Sequence, residues 1–440
     1  MKKFIQNAIT AKARKLLVTH KPLVIAVTGS VGKTSVRNAI ASVLSAKFRV
    51  GTTIKNYNNE FGVPLTILGA ESPGKSMFGW LRILFSSPKT MPEVFVLEYG
   101  IDHPGDMKHL CEIAAPDIVV MTRISPVHAE HFRSIEELAE EKAILLEHAK
   151  QLVVLNADDP RVLGLEGHVH CPILTYGFSS SSNVRASHYF LQTREDFSFE
   201  PGEHFSTITA DVTTQDGDQL SVELLNQLGQ HSVSALLPAI AIAKHLGLTR
   251  EQILEKLPTT QFEPGRMNPI PGIKGSLIID SSYNAAPASM EAALDVLRGF
   301  SPVESARRIA VLGHMAELGH YHEQEHRLIG LKVGEIGVDL LLTVGELARD
   351  IRRGAIEAGI PEEHTQHFDT PTDAGRWLDG EIHKGDIVLV KGSQSARTEK
   401  IVKDVMAEPL RATELLVRQT DYWMNEEPGS SLESALFNLC

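Results

Sequence analysis

The sequence has little cysteine, and what it has is scattered. Cys111, Cys171 and Cys440 are the three in 440 residues, and no two form a CxxC pair. A disulfide framework and a cysteine-built zinc site are excluded on that ground, and a reducing cytoplasm is the expected compartment. Long apolar runs are missing as well. No stretch approaches the roughly 20 residues of a spanning helix, and no signal peptide is visible, so stable membrane insertion is not expected. Acidic residues are absent ahead of Glu60, a stretch that carries eleven Lys and Arg. The chain as a whole is nevertheless acidic, with 43 basic against 55 acidic residues and a formal charge of −12. That balance argues against a sequence-independent nucleic-acid partner. With 42% hydrophobic and 22% charged residues, the remainder is ordinary globular composition, long enough for two or three domains.

The basic stretch begins with a helical segment over residues 1–20, with Phe4, Ile5, Ala8, Leu16 and Leu17 as its apolar positions. It reads first as a helix packed against the first domain; the alternative is a helix lying on an anionic membrane surface. Beyond it, short β-branched runs at 23–27, 94–97, 118–121 and 152–155 alternate with segments of helical spacing. That alternation predicts an α/β fold with a parallel sheet covered on both faces. Residues 178–225 alternate polar and apolar side chains, as a β-rich excursion within this first domain would. Near 264–275 the sequence turns rich in Pro and Gly, and a second strand–helix series follows at 276–280, 309–312, 340–343 and 387–390. The expected organisation is a basic helix (1–20), a nucleotide-binding domain (21–270), a second domain (271–408) and a tail (409–440).

The first strand runs into Thr28-Gly29-Ser30-Val31-Gly32-Lys33-Thr34-Ser35, and a helical pattern follows at once. Strand, glycine-rich turn and helix are the context a phosphate-binding loop requires. Glycines let backbone N–H groups close around phosphate oxygens, and the helix N-terminus adds its positive dipole end. Lys33 can reach the outer phosphates of ATP or GTP, and the Thr34 hydroxyl can hold Mg²⁺. The strict Walker pattern wants glycine at position 27, where valine stands.

Asn56-Tyr57-Asn58-Asn59-Glu60-Phe61-Gly62-Val63-Pro64 is an amide-rich loop suited to a polar substrate, and equally readable as a simple turn. Glu98 ends a strand where ligands of open parallel sheets gather. It either completes a Mg²⁺ site with Thr34 or is merely solvated.

In order and combination, these motifs resemble the Mur ligase family, over residues 22–405, and within it the members that add D-alanyl-D-alanine to a UDP-N-acetylmuramoyl-tripeptide. The phosphate loop is similar to that family's TGSxGKT form, and Asn56, Asn58 and Asn59 to its NxNNxxGxP substrate loop. Glu98 and His128 match its magnesium ligands. Lys142 matches the lysine that these enzymes carbamylate to hold a second Mg²⁺. The NADDP turn falls at residues 156–160. Arg266, Asp280, Tyr283 and Asn284 match its ribose- and adenine-side contacts, and Lys391, Gly392 and Ser393 a C-terminal-domain signature. The resemblance implies an ADP-forming amide ligase of cell-wall precursor synthesis with ATP and Mg²⁺. It implies a Rossmann-like second lobe, small-molecule substrates (a nucleotide-sugar peptide and an amino acid or dipeptide), a cytoplasmic location and a monomer.

Departures from the pattern are as specific as the matches. Arg123 replaces an asparagine after the third strand, Ser232 and Ala235 replace two more, Ala286 stands for asparagine, and His314 for aspartate. About twenty residues precede the first strand, where the family usually has a uridine-diphosphate-binding domain; a ligase of the same fold acting on a folate, a poly-amino-acid chain or another precursor is the alternative. A nucleotide switch that makes no bond is the rival of another class, although it would have no use for a carbamylated lysine. His322-Glu323-Gln324-Glu325-His326 fits the HExxH zinc pattern, yet it leads into a peripheral helix, and His320, His322 and His326 are expected to be solvated. The tail beyond Pro409 carries no readable motif.

Overall fold

The computed structural model describes residues 2–53, 57–74, 76–86, 88, 90–125, 131–194, 197, 203–301, 306–420 and 423. The basic segment forms α1 (Lys2–His20), with Ile9 and Ala13 fully buried and Ile5, Leu16 and Leu17 packed partly into the core. The helix therefore packs against the first domain, as the first of its two readings has it.

The first domain is built on nine strands: β1 (Leu23–Thr28), β2 (Val50–Thr52), β3 (Val94–Glu98), β4 (Ile118–Met121), β5 (Leu152–Asn156), β6 (Ile173–Gly177), β7 (Val184–Thr193), β8 (Ser206–Thr213) and β9 (Gln219–Leu225). Their order is β2-β3-β1-β4-β5-β6-β7-β8-β9, and pairing is parallel from β2 as far as β7. β1, β3, β4 and β5 are buried along almost their whole length, as apolar strands covered on both faces must be. One face packs against α2 (Lys33–Leu44) and the helix Gln230–His245. The other is covered by α1, α3 (Gly62–Ile67), α4 (Met77–Phe85), α5 (Asp106–Ile113) and α6 (Ile135–Glu147).

The β-rich excursion is not a separate layer. Tyr176 and Gly177 of β6 pair in parallel with Val184 and Arg185 of β7, and β8 and β9 then add antiparallel. Its alternation of buried and exposed residues reflects a sheet end with one covered face.

The second sheet contains β10 (Asn268–Pro271), β11 (Leu277–Ser281), β12 (Arg308–Gly313), β13 (Leu340–Val344), β14 (Thr365–Phe368) and β15 (Ile387–Lys391), in the order β10-β11-β15-β12-β13-β14. All pairs are parallel except β10 with β11. The two strands that the sequence pattern does not announce are its edges. β10 reads Asn-Pro-Ile-Pro, and proline is tolerated only where ladder donors are not required. β14 reads Thr-Gln-His-Phe and is half-buried.

The HExxH helix (His322–Ile336) corrects one expectation. His326 is not solvated: it is fully buried, accepts the Met315 N–H on Nε2 at 2.8 Å, and places Nδ1 2.6 Å from the His322 carbonyl. Glu323 faces outward toward Arg353. Among the described residues, no group of three His, Cys, Asp or Glu could hold a metal ion, so the spacing does not build a zinc centre.

Candidate active site

The phosphate loop lies where β1 ends and α2 begins, at the carboxyl edge of the first sheet. Its shape is set by backbone that other residues cannot adopt. Gly29 has φ 145° and Gly32, the residue ahead of α2, has φ 86°. A Cβ on Gly29 would overlap the Thr122 hydroxyl, so the loop presses directly on the end of β4. Thr122 in turn donates to the carbonyls of Val31 (2.7 Å) and Thr28 (3.1 Å), and the Ser30 N–H donates to the Arg123 carbonyl at 2.6 Å. The Ser30 hydroxyl donates to the Ser125 carbonyl and accepts its N–H. Arg123, the departure from asparagine, is exposed and meets the loop through this backbone carbonyl. The first intrahelical bond of α2 runs from Val36 to Gly32, so the N–H groups of Lys33, Thr34 and Ser35 lie ahead of the ladder, available to an anion.

Lys33 folds back over this loop, donating to the carbonyls of Gly29 (2.8 Å) and Ser30 (3.3 Å). Burial lowers its pKa, while Glu98 and, more weakly, Asp102 and Glu317 favour its charge. Glu317 belongs to the second domain, which therefore contributes to the electrostatics of the loop.

Glu98 is the hub of the first side. One oxygen accepts the Thr34 hydroxyl at 2.9 Å and meets Arg37 at 3.5 Å; the other accepts the Asn58 amide at 3.1 Å. Burial pushes this carboxyl up, but Lys33, Arg37, Asn58 and Thr34 outweigh it and hold the group below its ordinary value. An ionised carboxylate beside a threonine hydroxyl is the oxygen set that Mg²⁺ accepts, so the residues present fit that ion. Of the amide loop, Asn58 is thus tied to Glu98. Asn59 accepts the N–H groups of Phe61 and Gly62 and caps α3. Asn56 and His128 lie outside the described residues.

Lys142 projects from α6 into the same centre. It is 1% exposed, and its Nζ lies 3.4 Å from the Gly29 carbonyl. Burial, reinforced by the neighbouring Lys33, drives its pKa well below that of a free lysine. An ammonium with one long hydrogen bond among the described residues is costly to bury, so burial disfavours its charged form relative to the neutral amine. That is the form able to add carbon dioxide.

The segment leading into the second sheet reaches this centre through Arg266, which donates to the Thr34 hydroxyl at 3.1 Å and stacks its guanidinium 4.0 Å from the centroid of the Tyr283 ring. Glu263 lies between the two arginines, 3.2 Å from Arg37 and 3.7 Å from Arg266. Behind Tyr283, Asp280 is fully buried: one oxygen accepts the Ser282 N–H, and the other has no hydrogen-bond partner among the described residues. Burial raises its carboxyl to about 6. Lys391, at the end of the adjacent strand β15, donates to the Ser281 hydroxyl (3.1 Å) and the Asn284 carbonyl (2.8 Å), and burial lowers its pKa to about 7. Asn284 itself is exposed. Gly392 packs against Gly313, and the Ser393 N–H donates to the carbonyl of His314, whose ring binds Ser395.

The tail, which carries no motif, takes part. The Arg418 side chain is almost fully covered and donates to the carbonyls of Ser282 and Tyr283 (3.0 Å for the latter), and pairs with Glu399 at 3.1 Å. Glu399 is also held by Arg397 at 2.6 Å. Arg37, Glu263 and Arg418 carry no local motif, and each gains a role through a partner distant in sequence.

Two family models match the chain: the Mur ligase middle domain over residues 27–243 and the Mur ligase glutamate ligase domain over residues 265–394. The chain is 29% identical over 409 residues to the UDP-N-acetylmuramoyl-tripeptide–D-alanyl-D-alanine ligase of Bacillus subtilis (strain 168), a match covering 92% of this chain and 80% of that one. The ligase of the same name from a Synechocystis strain is 30% identical over 387 residues, covering 88% and 75%. Among solved structures, the MurF ligase of Thermotoga maritima in complex with ADP superposes with a TM-score of 0.73 at 25% identity, covering 91% of this chain and 83% of that one.

Proposed function

This chain belongs to the Mur ligase family, and from that premise we propose that it forms an amide bond at the expense of ATP, joining D-alanyl-D-alanine or a similar amine to the carboxylate of a UDP-N-acetylmuramoyl-peptide. The observation that carries the reading is the Lys33–Thr34–Glu98 centre with Lys142 buried beside it and Arg266 reaching in from the segment that leads into the second sheet.

In the proposed reaction an acceptor carboxylate oxygen attacks the γ-phosphorus of ATP. The bond to the bridging oxygen breaks, ADP leaves, and an acyl-phosphate remains. The amine nitrogen then attacks the acyl carbon and loses a proton as inorganic phosphate departs. Backbone N–H groups of the loop and the Lys33 ammonium would neutralise charge on the transferring phosphoryl group, where preorganised dipoles act most strongly. Thr34 and Glu98 would hold one Mg²⁺, and His128 with a carbamylated Lys142 a second; the ions supply charge neutralisation and orientation. For Lys142, carbamylation forms a bond from Nζ to the carbon of carbon dioxide with loss of a proton, turning a buried amine into a hard oxygen ligand. Arg266 and Tyr283 would flank the nucleoside, and Lys391 and Ser393 would face the amine-bearing substrate.

The test is ADP release from UDP-N-acetylmuramoyl-tripeptide with and without D-alanyl-D-alanine, with mass spectrometry of the products. Release that needs both, with a product heavier by the dipeptide, is expected. No stimulation, from protein that still binds ATP, would assign the fold to another acceptor.

A further inference from the structure

The outward face of α4 does not resemble a solvent-facing surface. Its nine residues, MFGWLRILF, include one charge, Arg82. Trp80 and Ile83 point into the core. Phe78 and Phe85 stand 79% and 85% exposed on the opposite side, with Leu81 between them and Met77 alongside. The spacing i, i+3, i+7 aligns three of them in one stripe, so the helix is apolar on both faces. Single apolar residues on a surface are ordinary; a concentrated aromatic stripe marks a contact. α4 is also firmly held. The Ser76 hydroxyl caps its start through the Gly79 N–H, and Lys12 of α1 donates to the carbonyls of Ile83 (2.8 Å) and Leu84 (3.0 Å) and to that of Ser86.

Charge identifies the occupant. Neither α1 nor α4 contains an Asp or Glu, and residues 72–92 carry Lys75, Arg82 and Lys89 with no acidic residue. Lys3, Lys15 and Arg82 are exposed, and Arg14 is paired with Glu112 at 3.8 Å. Phe4 of α1 adds a further aromatic ring at 76% exposure. Cations flanking an aromatic stripe, on a chain of net charge −12, suit a surface of anionic headgroups over hydrocarbon. A second copy would bring the same cations face to face.

We propose that the α1–α4 face docks the protein peripherally on an anionic lipid bilayer, with Phe78, Leu81 and Phe85 entering the interface and Lys3, Lys15 and Arg82 meeting lipid phosphates. This is adsorption, since no described helix is long and apolar enough to cross a membrane. It does not depend on the ligase reading.

Flotation of the full chain with phosphatidylglycerol–phosphatidylcholine vesicles, against phosphatidylcholine alone, tests it. The protein should float with the anionic vesicles, and added salt should weaken the association. The double variant Phe78→Ser/Phe85→Ser should lose about tenfold or more in partitioning while keeping its melting temperature and nucleotide binding. Arg82→Glu with Lys15→Glu should weaken binding without touching the apolar stripe. No flotation with either vesicle, or equal flotation of the double serine variant, would overturn the proposal. So would a concentration-dependent dimer in sedimentation velocity that the same substitutions abolish, since the face would then belong to a second copy.

Discussion

On the first domain's side of the junction, the phosphate loop is fixed by its own backbone. Gly29 presses on Thr122, and Ser30 and Val31 are bonded to the end of β4. On the second domain's side, the loop carrying Tyr283 is held by side chains from elsewhere: Lys391 from β15 and Arg418 from the tail, 110 and 136 residues away in sequence from the groups they bind. The first side is a turn whose shape the local sequence dictates. The second is an assembly whose parts meet only after both sheets and the tail have folded. The first should therefore be brittle to chemistry but indifferent to the tail, and the second the reverse.

The largest effect is expected from Lys33→Ala, which removes the ammonium meant for the transferring phosphoryl group. Turnover should fall about a thousandfold, with thermal stability kept or raised because a buried charge has been removed. Activity within a few fold of the unaltered chain would sink the phosphoryl-transfer role. Lys142→Ala comes next, with a loss of about a hundredfold. Because the proposed ligand is the carbamate oxygen and not the amine, a short-chain carboxylate should restore part of the activity. Full activity without the additive would refute the carbamate.

The same comparison explains what could be read from the sequence. Strand–turn–helix at 23–44 is contiguous, so the phosphate loop and its lysine were legible from spacing alone. Glu98 was legible as a strand-end carboxylate; its ties to Arg37 and Asn58 were not, because those contacts depend on how α2 and the amide loop pack. Lys142, Asp280 and Tyr283 drew notice only through the family pattern. Arg37 and Glu263, paired at 3.2 Å across 226 residues, carried no local signal. Among the elements, the buried parallel strands were evident from continuous apolar runs. β10 and β14 were not, since edge strands escape the pressure to be apolar on both faces.

A sharper test of the second side is Arg418→Ala. Glu399 keeps Arg397 as a partner, so the cost is that of two carbonyls left without their donor, about 2 kcal/mol. Loosening Tyr283 should raise KM for ATP several fold and leave kcat nearly unchanged, whereas a nonspecific loss of fold would lower the active fraction and leave KM alone.

The smallest effect concerns His326, which braces the second side from behind by accepting the Met315 N–H two residues before Glu317. Burial lowers its pKa to about 4, against an ordinary 6.5, and the neutral ring is the one that can accept this hydrogen bond. Between those values the unfolded chain binds a proton that the folded chain refuses. Stability is therefore full above about pH 6.5 and declines as pH falls toward 4, by an amount on the order of 3 kcal/mol. His326→Gln can still receive the Met315 N–H on its amide oxygen and cannot titrate in this window. Its denaturant midpoint should fall less than that of the unaltered chain between pH 6.5 and 4.5. Parallel curves for the two proteins would mean that the buried imidazole is not what acid unfolds first, and that the carboxylates of the first side, Glu98 foremost, set the acid limit of the fold.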